Sequence, residues 1–209
     1  MTGESAVMLH HRIEPEDRAR ADFYAVLARL YAAAPDAGLL AGLGAAEPLP
    51  ETAEAGALPA AWNRLVAASR IMDAEVAREE YTDLFIGVGR SAVDLHASHW
   101  LSETMSEQPL VEVRGDLARL GLTRIAGGVA YEDHLAALFE VMRVLITGHD
   151  ARRPAPVAEQ RAFFDKFLSP WLDRCCVAIT QNSIANYYRP VAEFTQIFVA
   201  IERDAFAIE

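Results

Sequence analysis

Leu135, Leu138, Phe139, Met142, Leu145 and Ile146 recur at steps of three and four within Tyr131 to Ile146, YEDHLAALFEVMRVLI. That spacing lays them along one side of an α-helix and gives that side a core to bury. Glu132, Asp133 and His134 stand at the start of the pattern. Unpaired N–H groups and the positive dipole end of a first turn favour carboxylates there. His134 precedes Leu138 by one turn, so its side chain is expected to look along the apolar side.

Similar stripes run through the rest of the chain. Phe23, Leu27, Leu30 and Tyr31 predict a helix over Glu16 to Ala34, after Met1 to Pro15, which has no period and reads as a tail. Pro35-Asp36 stops that helix and offers an N-cap to a short successor carrying Leu39, Leu40 and Leu43. Gly44 to Pro59 reads as a surface connection. One long helix is expected from Pro59 or Ala60 to Ile86, with Trp62, Leu65, Val66, Met72, Val76, Tyr81, Leu84 and Phe85 on its apolar side, ending at Gly87-Val88-Gly89. Ser91 to Glu107 is irregular. A helix over Pro109 to Leu120 follows, then Gly121 and Gly127-Gly128. Gly148 to Pro156 breaks the chain before a helix over Val157 to Leu168, interrupted at Ser169-Pro170. Tyr187, Val191, Phe194, Phe198 and Ile201 form a last stripe, in which Pro190 must lie in the first turn or kink the helix. No strand pattern occurs, so the fold class is all-α, with roughly eight to eleven helices.

Composition sharpens this picture. With 52% hydrophobic and 23% charged residues over 209 positions, the chain holds enough apolar material for one soluble globular domain or two small subdomains. A net charge of −11 argues against nucleic acid and suits a cationic partner or simply a solvated surface. No apolar run is long enough to span a bilayer and no basic-then-apolar leader opens the chain, which predicts a cytoplasmic location. The two cysteines, Cys175 and Cys176, are adjacent, which matches neither a disulfide framework nor a metal spacing; buried free thiols are expected.

Chemistry concentrates between Asp94 and Glu103 and again at 132–134. His96 and His99 could share a helical face, with Glu103 and His134 completing a zinc set, although no established zinc spacing is matched. Gly87-Val88-Gly89-Arg90-Ser91 follows a helix and lacks the Gly-Lys-Ser/Thr ending of a phosphate loop.

Several blocks then resemble the TorD/DmsD family of molybdoenzyme chaperones. Glu80-Tyr81-Thr82-Asp83-Leu84-Phe85-Ile86-Gly87 is similar to its Glu-Tyr-x-x-Leu-Phe-x-Gly segment. Ser98-His99-Trp100-Leu101 stands where that family has Ser-x-aromatic-Leu, and Glu132-Asp133-His134-Leu135 matches its hallmark. Gln160-Arg161-Ala162-Phe163-Phe164, Leu168-Ser169-Pro170-Trp171 and Asn186-Tyr187-Tyr188 follow in order. Tyr131 stands in place of the usual proline, Val88 in place of a frequent proline, Phe167 in place of a common histidine, and Leu95-His96-Ala97 lacks the usual proline-aromatic pair.

The resemblance implies a TorD-like helical domain of two closely packed subdomains, over residues 16–209. It implies a non-enzymatic cytoplasmic chaperone that binds the twin-arginine signal peptide and apo form of a molybdoenzyme catalytic subunit, aids cofactor insertion and delays export. Tyr81, Leu84, Phe85, Ser98, Trp100, Glu132, Asp133 and His134 are the implied client-binding residues. No catalytic residue, metal or cofactor is assigned, and a homodimer by domain swapping is open. Beside these roles stand structural ones: side chains such as Leu84 and Phe85 are more often core than binding surface, Asp133 can cap its own helix, and His134 can be an interior brace donating to a backbone carbonyl. Two other readings stand beside this one: a metal-dependent hydrolase using Glu132, Asp133 and His134 with His96 and His99, and a helical scaffold. If Asp133 and His134 serve the client alone, Asp133→Ala and His134→Ala should weaken binding without changing the melting temperature.

Overall fold

Pro15 opens the first helix, where its fixed φ and missing N–H are suited to the first turn. The computed structural model describes residues 13–52, 56–101, 108–122, 131–149 and 153–208. Among these it contains ten α-helices and no strand. The expected tail falls outside the described residues up to position 12, and Pro15 itself is helical. α1 (Pro15–Ala32) buries Tyr24, Leu27, Leu30 and Tyr31 completely. Asp36 then caps α2 (Ala37–Gly44) by accepting the Leu39 N–H at 2.7 Å, as its position predicts.

The single long helix expected up to Ile86 is three pieces. α3 (Leu58–Ile71) stops where Met72 turns extended, and Asp73 restarts the chain by accepting the N–H groups of Glu75 and Val76 at 2.9 and 3.2 Å. An aspartate inside a helical pattern competes for backbone donors, and here it wins as an N-cap. Because apolar residues continue on both sides of the break, periodicity alone could not locate it. The restart also rotates the face, leaving Val76 49% exposed where the pattern expected burial. α4 (Ala74–Tyr81) runs into a π-helical turn, Thr82–Ile86. Gly87 ends it with φ +64°, and a Cβ there would run into the carbonyl of Arg90.

A short helix, α5 (Ala97–Leu101), lies inside the segment expected to be irregular, and α6 (Gln108–Arg119) matches its expected position. Glu103 and Gly127-Gly128, singled out in the sequence, lie outside the described residues. α7 (Leu135–Thr147) begins at Leu135, so Tyr131, Glu132 and Asp133 precede the helix and do not form its first turn. α7 lies along α1, with Phe139 set between the rings of Tyr24 and Tyr31 at 5.8 and 6.1 Å.

α8 (Val157–Phe167), α9 (Leu172–Thr180) and α10 (Tyr188–Ile208) complete the chain, and Pro190 falls in the first turn of α10. Cys175 and Cys176 are free thiols inside α9, and burial pushes both of them up, away from the reactive thiolate. α10 packs on α9 and α3. Ile201, expected on its buried stripe, is 42% exposed. Its neighbour Glu202 turns inward instead, accepting Arg20 Nε and Nη2 at 2.7 and 2.9 Å and the Tyr24 hydroxyl at 3.0 Å.

One further carboxylate fixes how the last helix begins. Glu80, buried on α4, accepts the backbone N–H groups of Asn186, Tyr187 and Tyr188 at 2.8, 2.9 and 2.8 Å. Three donors that the start of α10 cannot satisfy internally thus find an anion supplied from far along the chain. Replacing Glu80 by Ala is expected to lower stability by about 3 kcal/mol in urea denaturation, because charged hydrogen bonds are lost and buried donors are left unpaired. Glu80→Gln, which keeps one acceptor oxygen, should lose roughly half as much.

Candidate functional site

Short-range chemistry prepares the first half of the site. Asp94 accepts the backbone N–H of His96 at 2.8 Å, the local turn that an aspartate favours two residues ahead of a donor. The same carboxylate oxygen meets His96 Nδ1 at 2.8 Å, and His99 Nδ1 lies 3.9 Å from the other oxygen. Trp100 closes the loop by donating its indole N–H to the Asp94 carbonyl at 2.8 Å. Its ring stacks on Trp171 at 6.4 Å, and Arg174, with its guanidinium over that ring, donates to the Trp100 carbonyl at 2.6 Å.

The second half is the approach to α7. Ala97 donates to the Asp133 carbonyl at 2.9 Å and Leu135 donates to the Leu95 carbonyl at 2.8 Å, so His96 and His134 lie opposite one another in an isolated antiparallel bridge. In a pair of this kind, flanked by the backbone bonds, Cα atoms approach to about 4.5 Å and side chains are at their closest. The two imidazole rings accordingly stand 4.9 Å apart, edge to face.

Asp133, 1% exposed, uses its carboxylate to accept the Ser98 N–H at 3.1 Å. It therefore caps α5, on the other side of the junction, and not its own helix. That position goes to His134, whose Nδ1 accepts the Ala136 N–H at 3.2 Å. The histidine is thus an acceptor at Nδ1, and its neutral ring carries its one donor proton on Nε2. Glu132, half-buried, binds Arg114 of α6 at 3.1 Å, and Tyr131 is exposed with its ring 6.2 Å from that of His96.

The electrostatics follow from this wiring. The hydrogen bond to Asp94 raises His96 above the ordinary histidine range despite burial. Burial pushes the Asp94 carboxyl up, but its bonds from His96 outweigh this and hold it below the usual carboxylate range. Burial, reinforced by the neighbouring His96 charge, pushes His134 down to about 4. One ring of the pair is therefore ready to charge and the other is held neutral.

Of the residues singled out in the sequence, Ser98, Trp100, Glu132, Asp133 and His134 meet at this junction. Tyr81, Leu84 and Phe85 do not line it at the surface. They are at most 8% exposed, with Phe85 packed against Tyr81, Tyr188 and Tyr31 and the Tyr81 hydroxyl bonded to the Tyr31 carbonyl. One bond, Val93 N–H to the Leu84 carbonyl at 2.8 Å, joins that core group to the chain entering the junction. His96 precedes α5, so it does not share a helical face with His99. Among the described residues no group of three or more His, Cys, Asp or Glu side chains is placed to hold a metal ion. Arg174 and Trp171 were not legible as part of this site, and Asp94 was visible only as one member of a polar run. The Asp94-x-His96 spacing of a local turn was the one available signal for it.

Fold and site together define an all-helical protein whose polar cluster is spent on joining two segments of chain. The family described as nitrate reductase delta subunit matches residues 51–177, more than half of the sequence. The chain belongs to this family, which comprises maturation chaperones for molybdoenzymes. A search of curated proteins found no match. The family match runs from before α3 into α9 and includes both halves of the junction, but not α1, α2 or α10.

Because Asp133 and His134 hold backbone donors, their removal is expected to cost stability as well as any client contact. Asp133→Ala is expected to cost about 1–2 kcal/mol and to lower the melting temperature, with Asp133→Asn recovering most of the loss through its remaining oxygen. Thermal unfolding followed by circular dichroism checks both.

Proposed function

We propose that this protein is a cytoplasmic, non-enzymatic chaperone that binds the twin-arginine signal peptide and apo form of a molybdoenzyme catalytic subunit, aids cofactor insertion and delays export. The family match over residues 51–177 carries this reading. The chemistry of the junction supports it. A signal peptide offers arginines followed by an apolar helix, and such a helix binds by laying its apolar face against aromatic and aliphatic side chains. Trp100 is half-buried and Tyr131 is 57% exposed, at a place where Asp94 and Glu132 supply carboxylates. The acid surplus of −11 favours encounter with a cationic segment.

In this reading Ser98 and Trp100 are contact residues, and Glu132 receives an arginine in exchange for Arg114. Asp133 and His134 act by holding α5 and the start of α7 in register. Tyr81, Leu84 and Phe85 support the site from beneath and meet the client only where α5 moves aside.

Titration calorimetry with the twin-arginine leader of a molybdoenzyme from the same cell tests this. Binding is expected, and Trp100→Ala and Tyr131→Ala should each weaken it by about tenfold, as loss of an aromatic anchor does. Failure of every such leader and precursor to bind would sink the reading.

A further inference from the structure

We infer that His96 and His134 form a proton-operated latch on the junction: it stays closed with one ring charged, and a second proton, on His134, releases residues 95–101 from the start of α7. The geometry carries this. The antiparallel bridge sets the two rings 4.9 Å apart, so charging both places two cations in contact. They are not equivalent. His96 presents Nδ1 to the Asp94 carboxylate at 2.8 Å, so a proton added at its Nε2 leaves that bond intact and strengthens it. His134 presents Nδ1 to the Ala136 N–H at 3.2 Å, so a proton added there turns an acceptor into a donor facing a donor. The first proton is held by the latch, and the second one must break the cap of α7.

The charged and titratable groups around the pair agree with this order. Asp94 faces His96 from the loop before α5, with His99 3.9 Å from its second oxygen. Asp133 acts on both rings and would favour charge on either, but its carboxylate is bonded to Ser98. Tyr131 adjoins His96, and Glu132 is held by Arg114.

The signs of the two contributions differ. His96, raised when folded, stabilises the closed junction at acid pH, and this is lost as pH rises through its folded value. His134, lowered to about 4, opposes closure as pH falls from the ordinary histidine value towards 4. Across the whole titration, from well above the ordinary histidine value to well below 4, the second effect shifts the closed-to-open ratio by up to about 300-fold.

Amide hydrogen exchange at Ala97, Ser98 and Leu135, corrected for the intrinsic pH dependence, measures the latch on the full chain. Between pH 7 and pH 4.5 their protection is expected to fall faster than that of the core amides of α7. His134→Asn keeps a good capping oxygen but cannot take the proton, so it should hold protection at pH 7 and lose the acid-specific part. Equal acid loss in His134→Asn overturns the latch. So does a wild-type ring titration by NMR in which His134 charges while Ser98 stays protected, a measurement that needs no variant.

That the latch governs the client rests on the function proposed above, and the two fail separately. Leader binding that is absent at every pH removes the chaperone reading and leaves the exchange result standing. Leader affinity that follows acid opening in wild type but not in His134→Asn ties them together.

Discussion

The exchange of two backbone hydrogen bonds between residues 95–97 and residues 133–135 is the constraint on which the site depends. It brings a loop that enters from the π-helical turn against the start of the most buried helix. α5 has only five residues, too few for a helix to hold by its own bonds. It persists because Asp133 takes the N–H of Ser98 and its carbonyl takes that of Ala97, while Trp100 ties the far end back to Asp94. Remove the exchange and the helix, the histidine pair and the Trp100 face lose their common anchor.

Glu80 does for α10 what Asp133 does for α5. In each case a buried carboxylate on one element satisfies the first N–H groups of another. Such anions are expensive to bury without partners and gain most where several oriented donors converge. The Arg20–Glu202–Tyr24 group repeats the theme between α1 and α10. The apolar core sets which helices are adjacent, and these few carboxylates set where helices start and how they cross.

For the peptide-binding function proposed above, this arrangement has a direct use. A surface that must accept a peptide and later give it up benefits from an element of low independent stability held by a small number of breakable bonds. The α5 segment meets that description, whereas α7 beside it, with nine buried residues and its lie along α1, does not. The junction therefore joins the least self-sufficient element to one of the most rigid.

The sequence by itself determined the all-helical class, the positions of most helices, the Asp36 cap and the stop at Gly87, and it narrowed Pro190 to a first turn or a kink. Each depends on residues within a turn or two of one another, through apolar spacing or through a side chain reaching a nearby N–H. It also picked out several residues of the junction, by resemblance and by their density of polar groups, together with Tyr81, Leu84 and Phe85, which are core. What it left undecided was their partners. Asp133 stood as a client contact by resemblance, with a cap on its own helix as the structural alternative, since a local cap is all that spacing can express; its donor lies 35 residues back, and Glu80 reaches donors more than a hundred residues on. The break at Asp73 was hidden because the apolar pattern continues through it. His96 and His134 could not be paired from the chain, since only the tertiary fold sets two irregular segments antiparallel and in the register that presses those rings together.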